Sequence, residues 1–155
     1  MLDFLVIGGG IAGMSAAARL SGLGRVTVLE AEAGLGYHAS GRSAAMFEQS
    51  YGLPSTIALN RASRDYLSAA NGGVLTPRGM LVIGTADTGA AFARDMREMD
   101  MQTISPAEAA ALVPCLKPDV VVEVAYTSEA LDIDTDRLMQ NFARQARENG
   151  ASVLT

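Results

Sequence analysis

The sequence predicts an α/β fold that begins with a βαβ unit, and three observations support this prediction. An apolar segment, Leu2 to Ile7, has the length and composition of a buried strand, and a second one, Val26 to Leu29, follows a helix of small residues. The turn Gly8-Gly9-Gly10-Ile11-Ala12-Gly13 joins the first strand to the helix with G-x-G-x-x-G spacing. Glu30 directly follows the second strand. Together these features predict a dinucleotide-binding unit.

The glycines and Glu30 each have a physical role in such a unit. Gly8 lets the chain turn tightly, Gly10 lacks the Cβ that would block a pyrophosphate, and Gly13 lets the helix pack close to the strand. The helix N-terminus directs free N–H groups and the positive end of its dipole at the phosphates. Because Glu30 can accept hydrogen bonds from both ribose hydroxyls and would repel a 2′-phosphate, the sequence disfavours NADP.

Length and composition limit the class of protein. The chain has 155 residues, of which 49% are hydrophobic and 19% charged, as in a soluble globular protein. A net charge of −5 without a cluster of Lys or Arg argues against nucleic acid or an anionic membrane surface as a partner. The first strand leaves no room for a signal peptide, and no apolar run approaches the roughly 18 residues of a membrane span. We therefore expect a cytoplasmic protein with no transmembrane segment and a small molecule as its substrate.

Cysteine and histidine are too few for a disulfide or a metal site. Cys115 is the single cysteine and His38 the single histidine, so we predict no bound metal. Cys115 lies between Pro114 and Leu116, where we expect a buried, unreactive thiol. His38 is open to two interpretations, a hydrogen bond on the cofactor side or polar packing.

Beyond the βαβ unit the sequence predicts further helices and strands. A helix over 54–70 carries an apolar stripe that includes Leu59. Ser105 and Glu108 have capping-box spacing at the start of a short helix that ends before Pro114. The remaining predicted elements are a loop over 31–43, a strand over 80–83, a helix over 87–101 with Phe92, Met96 and Met99 inward, a strand over 120–126, a helix over 136–149 and a strand over 151–155.

The last predicted strand, 151–155, bears on the domain organisation. A parallel dinucleotide sheet needs strands beside the first two, and residues 44–130 do not supply them in immediate βαβ order. The last strand is therefore expected to return to the first sheet. We predict that the chain is the N-terminal part of a larger protein. Residues 1–50 are expected to form the first part of the dinucleotide-binding domain and 51–131 part of a substrate or cap region. Residues 132–155 are expected to return to the dinucleotide-binding domain without completing it.

Motifs spread over nearly the whole chain resemble one enzyme family. The longest is the segment 36–46, Gly-Tyr-His-Ala-Ser-Gly-Arg-Ser-Ala-Ala-Met. The other matching stretches are Tyr51-Gly52-x-Pro54, Ser63-Arg64, Pro77-Arg78 and Asp132-Ile133-Asp134-Thr135-Asp136. With these, the chain resembles the flavin-dependent D-amino acid oxidase and dehydrogenase superfamily, which includes glycine oxidase, and most of all its D-arginine dehydrogenase-like members. The resemblance implies a Rossmann-like FAD-binding domain with part of an inserted α+β substrate domain.

The resemblance also implies where FAD binds. Backbone N–H groups of the glycine turn and of the loop after residue 38 would hold the pyrophosphate, and Arg42 would help to neutralise it. Small Ala44 and Ala45 leave room for the flat isoalloxazine ring. The residues implied to bind FAD are Gly8, Gly10, Ile11, Ala12, Gly13, Glu30, Ala31, Ala39, Ser40, Gly41, Arg42, Ser43, Ala44, Ala45 and Met46.

The implied reaction is hydride transfer from the substrate α-carbon to the flavin. Tyr51 matches a tyrosine that closes the active site in the D-arginine dehydrogenase-like proteins, and Met46 stands in place of their active-site histidine. We take both as catalytic-site candidates. Gly79 or Met80 stands where those proteins have the carboxylate that holds the substrate guanidinium. Because a cationic side chain would lack a partner in such a pocket, arginine is disfavoured and an apolar or small side chain is expected.

Three functions remain open from the sequence. The first is the N-terminal segment of an FAD-dependent oxidoreductase acting on a D-amino acid or related amine, and the second is a 2-hydroxy acid dehydrogenase of the 2-hydroxyglutarate type. The third is a non-catalytic FAD-binding subunit or fragment that needs its missing C-terminal part or a partner chain. An NAD-dependent dehydrogenase is disfavoured because segment 36–46 resembles a flavin loop. We expect the 155-residue chain to be inactive by itself.

Overall fold

The computed structural model describes residues 1–99 and 101–155, and these residues form two compact units. Unit 1 contains both ends of the chain, and unit 2 contains most of its middle. Unit 1 consists of Met1–Ala45, Ala69–Val74 and Ile133–Thr155, and unit 2 consists of Met46–Ser68 and Leu75–Asp132.

Helices and strands alternate irregularly along the described residues. The elements in chain order are β1 (Phe4–Ile7), α1 (Ile11–Leu20), β2 (Val26–Leu29), β3 (Met46–Phe47), α2 (Pro54–Ala69), β4 (Leu75–Pro77), β5 (Met80–Gly84), α3 (Gly89–Glu98), β6 (Gln102–Ile104), α4 (Pro106–Leu112), β7 (Glu123–Thr127), β8 (Leu131–Ile133), α5 (Thr135–Glu148) and β9 (Ser152–Leu154), with short 3-10 turns at Ser40–Arg42 and Ala70–Gly72.

Unit 1 is built around a parallel sheet with strand order β1-β2-β9. Helix α1 packs on β1, on β2 and on α5. Half of the buried residues of the two helices are alanines, among them Ala17, Ala143 and Ala146, and small side chains let packed helices approach closely. The prediction that the last strand returns to the first sheet is confirmed, because β9 pairs parallel with β2.

The sheet of unit 1 has one buried and one exposed face. Val26 and Val28 point toward the helices and are buried. Side chains alternate along a strand, so the residues next to these valines in the sequence point to the opposite face of the sheet. In that direction Ile7, Leu29 and Leu154 lie in one row across the three strands, and they are 83%, 39% and 56% exposed. Parallel sheets normally bury both faces, which makes this row an apolar surface that lacks cover in the described residues.

Unit 2 contains two small sheets, with strand orders β3-β8-β4 and β5-β7-β6, and the pairs β3–β8, β5–β7 and β6–β7 are antiparallel. Its hydrophobic core lies against the second sheet and includes Ala109 from α4 and Val124 from β7. The predicted capping box of α4 is confirmed, since the Ser105 hydroxyl accepts from the Glu108 N–H at 3.2 Å and the Glu108 carboxylate accepts from the Ser105 N–H at 2.8 Å.

The prediction of a buried thiol at Cys115 is wrong, because Cys115 is exposed. The chain turns directly after α4, where the Leu116 N–H donates to the Val113 carbonyl at 3.0 Å. This turn directs Leu116 to the core of unit 2 and leaves its neighbour Cys115 at the surface. An apolar sequence around a cysteine therefore did not predict its burial.

Several predicted boundaries and faces also differ from the structure. The strand predicted over 120–126 starts at Glu123, because the N–H groups of Val120 and Val121 donate to the Lys117 carbonyl in a turn. No residue of α2, all of which are described, is buried, and in its predicted apolar stripe Leu59 is exposed while Ile57, Tyr66 and Leu67 are half-buried.

The helix predicted over 87–101 is shorter in the structure, and its end falls partly outside the described residues. Helix α3 spans Gly89–Glu98, Met99 is extended, and Asp100 lies outside the described residues. Phe92 is buried as predicted, and Met96 and Met99 are half-buried. Strand β6 was not predicted.

No helix in the described part of the chain combines the length and apolar character needed to cross a bilayer.

Candidate functional site

The glycine turn of unit 1 has the geometry predicted for binding a pyrophosphate. Gly8 has φ +100°, a conformation that favours glycine, and its N–H donates to the Leu29 carbonyl at 2.7 Å. A Cβ on Gly13 would lie 1.9 Å from the Gly8 carbonyl oxygen, so α1 packs directly on the turn. A Cβ on Gly10 would meet only the Ser40 Oγ, at 3.1 Å. The space in front of Gly10 is therefore open, as a bound phosphate requires.

Ser40 lies at the N-terminus of α1. The Ile11 N–H donates to the Ser40 Oγ at 2.9 Å, whereas Gly10, the N-cap, has no side chain to cap the helix. The first-turn N–H groups of a helix have no intrahelical acceptor and favour an anion. The sequence placed Ser40 in the cofactor loop but did not predict this hydrogen bond, because the two residues are 29 positions apart.

Glu30 places its carboxylate at the same turn. Its Oε2 accepts from the Gly9 N–H at 2.6 Å and its Oε1 from the Glu32 N–H at 3.0 Å. These bonds, that from Glu32 first and that from Gly9 next, lower the pKa of the Glu30 carboxyl, and partial desolvation opposes them. Glu30 therefore presents an anionic acceptor beside the phosphate turn, as a ribose requires.

The loop after β2 is attached to the glycine turn by backbone hydrogen bonds. The Gly36 N–H donates to the Gly9 carbonyl at 3.0 Å, and the Gly41 N–H donates to the Gly36 carbonyl at 2.7 Å. Gly36 has φ +70°, and a Cβ there would lie 2.4 Å from the Met139 Cε. This φ favours glycine, and any side chain here would also require Met139 to move. The sequence alone did not identify Gly36 as structural.

The remaining predicted cofactor residues lie mostly at the surface of unit 1. The Arg42 Nε donates to the Tyr37 carbonyl at 3.1 Å, and the guanidinium lies 5.1 Å from the centre of the Tyr37 ring. The His38 Nε2 lies 2.8 Å from the Glu32 Oε1. Ala45 is half-buried, and the exposed members of the predicted set are Ala12, Ala31, Ala39, Gly41, Arg42, Ser43 and Ala44 in unit 1 and Met46 in unit 2. Exposed small residues beside an open glycine turn fit a bound dinucleotide.

Unit 2 contains a pocket of about 470 Å³. The predicted residues Met46, Tyr51 and Met80 line it together, whereas Gly79 lies in a smaller cavity beside Tyr126. The other lining residues, which the sequence did not identify, are Ser50, Gly52, Val82, Arg94, Asp95 and Met99. The pocket is thus lined by three methionines and a valine, together with the polar side chains of Ser50, Tyr51, Arg94 and Asp95.

Local structure explains how these side chains reach the pocket. Met46 is fixed by pairing with Asp132 on β8, and Met80 pairs with Thr127 on β7. Met80 and Val82 alternate along β5 and therefore share one face. The Arg94 guanidinium lies 3.3 Å from the Asp95 carboxylate, so these two charges compensate each other.

Comparison with known proteins adds the family. Residues 3–155 match the model of the family described as FAD dependent oxidoreductase. Among solved structures, the chain is similar to L-proline dehydrogenase from P. horikoshii, with 24% identity and a TM-score of 0.78 over 99% of this chain and 43% of that one.

Two further solved structures share the fold. L-α-glycerophosphate oxidase from Mycoplasma pneumoniae, with FAD bound, has 19% identity and a TM-score of 0.82 over 99% of this chain and 44% of that one. Glycine oxidase from Bacillus cereus has 20% identity and a TM-score of 0.77 over 99% of this chain and 47% of that one. The chain therefore spans less than half the length of these proteins.

Proposed function

Because the chain belongs to the FAD dependent oxidoreductase family, we propose that the complete protein oxidises an amino acid or related amine, with a D-amino acid as the leading class. The observation that carries this proposal is the pocket of unit 2, where Met46 and Tyr51 meet Met80 from β5. Its methionine and aliphatic lining suits an apolar or small substrate side chain.

Unit 1 supplies all the residues proposed to hold FAD except Met46. The glycine turn and the N-terminus of α1 bind the pyrophosphate, Glu30 accepts hydrogen bonds from the ribose, and residues 39–46 contact the rest of the cofactor. When bound, FAD supplies the acceptor for the hydride that leaves the substrate α-carbon. The open space at Gly10 and the anionic Glu30 carboxylate support this proposal.

We also propose which segments of the chain belong to the cofactor domain and which to the substrate region. Residues 1–50 and 132–155 belong to the FAD-binding domain, and residues 51–131 belong to the substrate region. Tyr51 is proposed to close the pocket over the substrate and Met46 to contact it. Met80 disfavours a guanidinium, because it offers no carboxylate and because the Asp95 carboxylate of the pocket is already paired with Arg94.

The similar proteins act on more than one substrate class, and this leaves competing functions. Proline dehydrogenase and glycine oxidase are named for amino acids, whereas the Mycoplasma enzyme is named for glycerophosphate. A phosphate in the pocket would have to compete with Asp95 for Arg94. A 2-hydroxy acid is the second candidate, since an apolar lining does not distinguish an amine from a hydroxyl.

The test uses the complete purified protein. We expect it to be yellow and to release FAD on acid precipitation, since the glycine turn, Glu30 and residues 39–46 offer no nucleophile for a covalent flavin link. With an artificial electron acceptor, kcat/KM for D-methionine or D-alanine should exceed that for D-arginine, for the L-enantiomers, for 2-hydroxy acids and for glycerol phosphate. A colourless protein contradicts the cofactor assignment, and a preference for D-arginine contradicts the pocket assignment.

A further inference from the structure

A buried carboxylate lies next to the pocket residues of unit 2. Glu48 follows β3 and is 6% exposed. Its Oε1 accepts hydrogen bonds from the Ser50 N–H, at 2.9 Å, and from the Ser50 hydroxyl. Its Oε2 is buried and has no hydrogen-bond partner in the described residues. Because an unpaired buried polar atom is costly, natural structures retain few of them, and each points to a missing partner.

Among the described residues, Glu48 also has no ion-pair partner. Arg61 lines a cavity of about 170 Å³ together with Glu48, yet the two form no ion pair within residues 1–99 and 101–155. The arginine ion pairs of unit 2 use other acids and are Arg64 with Glu129, Arg78 with Asp132 and Arg94 with Asp95. A buried carboxylate held only by neutral donors is destabilising unless a cation approaches it.

Ser50 connects this carboxylate with the pocket. It lines the 470 Å³ pocket beside Met46 and Tyr51, and it also lines the smaller cavity that contains Glu48. Because the Ser50 hydroxyl donates its single proton to Glu48, only its lone pairs are left for a ligand. A ligand group that donates hydrogen bonds and carries positive charge complements both the hydroxyl and the carboxylate behind it.

We propose that the Ser50–Glu48 pair positions the amino group of the substrate. This inference rests on the proposed function, since it takes the pocket of unit 2 as the substrate site. Ser50 then supplies the polar group of the pocket that contacts the amine, and Met80 and Val82 contact the apolar side chain. A 2-hydroxy acid offers one neutral hydroxyl, and a phosphate would be repelled by Glu48. The pair thus selects a cationic amine.

A binding experiment tests the pair without turnover. The complete protein is heated with n-pentylamine or with 1-pentanol, which have the same chain and differ in the polar group. We expect the ammonium compound to raise Tm and the alcohol to have a much smaller effect. Ser50→Ala and Glu48→Gln should remove this difference. Ser63→Ala is the matched control, because the Ser63 hydroxyl donates only to the Leu59 carbonyl within α2, and it should keep the difference.

A kinetic experiment separates positioning from general damage. For D-methionine, we expect Ser50→Ala and Glu48→Gln to raise KM about tenfold, the size of one lost charge-assisted hydrogen bond, with kcat changed much less. For the 2-hydroxy analogue of methionine, KM should stay unchanged. Ser50→Thr, which keeps the hydroxyl, should restore the wild-type KM. FAD content and Tm of each variant are measured in parallel.

The outcomes distinguish this inference from the proposed function. If the wild type oxidises amino acids but both variants keep its KM or the response to n-pentylamine, the inference is wrong and the proposed function stands. If the wild type oxidises no amino acid, the proposed function fails, and the role of the pair in substrate positioning fails with it. Should Glu48→Gln fold poorly, Ser50→Ala decides, because it keeps the carboxylate and the Ser50 N–H that donates to it.

Discussion

In unit 1 the candidate cofactor site is built mainly from backbone, whereas in unit 2 the candidate substrate pocket is built from side chains. The first uses N–H groups and missing Cβ atoms at Gly8, Gly10 and Gly13. The second collects Met46, Met80 and other side chains from separate strands and a helix. A backbone site should therefore tolerate changes in neighbouring side chains but no added Cβ. A side-chain pocket should change its ligand when one lining residue changes.

The largest expected effect is the loss of FAD in Gly10→Val. A Cβ at this position would meet only the Ser40 Oγ, at 3.1 Å, so we expect the fold to accommodate valine by a small shift, although the side chain would fill the space of the pyrophosphate. We expect near-complete loss of bound FAD with little change in Tm of the FAD-free protein. The control is Gly34→Ala, where a Cβ meets no atom within 4 Å, and it should bind FAD normally. Normal flavin content in Gly10→Val would refute the assigned turn.

The next effect concerns stability and separates packing from binding in the same turn. In Gly13→Ala the added Cβ would lie 1.9 Å from the Gly8 carbonyl oxygen and 3.3 Å from the Val6 Cγ1. Backbone cannot yield as a flexible side chain does, so we expect about 1–3 kcal/mol of lost unfolding free energy. Chemical denaturation of the FAD-free protein measures it against Gly34→Ala. Equal stability of the two variants would mean that α1 does not pack on the turn as described.

The contrast between the units also explains how far the sequence could predict this molecule. The βαβ unit, the return of β9 and the cap of α4 were predicted, because each depends on local spacing or on a rule of sheet topology. Cys115 was predicted wrongly, because burial depends on how a turn after a helix meets the core. Its neighbour Leu116 was taken into the core instead.

The same limit applies to the candidate sites. The hydrogen bond from Ile11 to Ser40 and the fit of Gly36 against Met139 join residues far apart in sequence, and no local pattern encodes them. The pocket was predicted in part, through three residues of motifs. Its other members, such as Met99, have no motif, and the Glu48–Ser50 pair resembles an ordinary surface segment until its burial is known.

A smaller effect is expected when the pocket receives a charge. Met80→Glu places a carboxylate where a cationic substrate side chain would need one, so kcat/KM for D-arginine or D-lysine should rise about tenfold, equal to about 1.4 kcal/mol of transition-state stabilisation. Ile83→Glu is the control, since Ile83 also lies on β5 but is 45% exposed and does not line the pocket. Equal gains in both variants would point to a general charge effect and against Met80 as a pocket residue.

The smallest effect is a pH dependence of the unfolding free energy, which we expect from one glutamate in each unit. The pKa of Glu30 in unit 1 is lowered first by the Glu32 N–H, and the pKa of Glu108 in unit 2 first by the Ser105 N–H. A carboxyl with a lowered pKa in the folded state stabilises the protein above its unfolded pKa, and this contribution is lost as pH falls through the folded pKa. The advantage of the wild type over Glu30→Gln or Glu108→Gln should thus be constant near neutral pH and decline below about 4.5.

Added FAD should separate these two glutamates, because only one of them faces the proposed cofactor site. The ribose hydroxyls would donate to the Glu30 carboxylate and hold it ionised to lower pH, whereas the capping bonds of Glu108 to Ser105 stay as they are. Denaturant unfolding is followed with and without saturating FAD from about pH 3 to about pH 7, a range that brackets the ordinary pKa values of carboxyl groups. We expect FAD to move the decline of the Glu30 stability contribution to lower pH. FAD should bind about tenfold more weakly to Glu30→Gln and with unchanged affinity to Glu108→Gln. A shift at both glutamates, or at neither, would contradict the assignment of the ribose to Glu30.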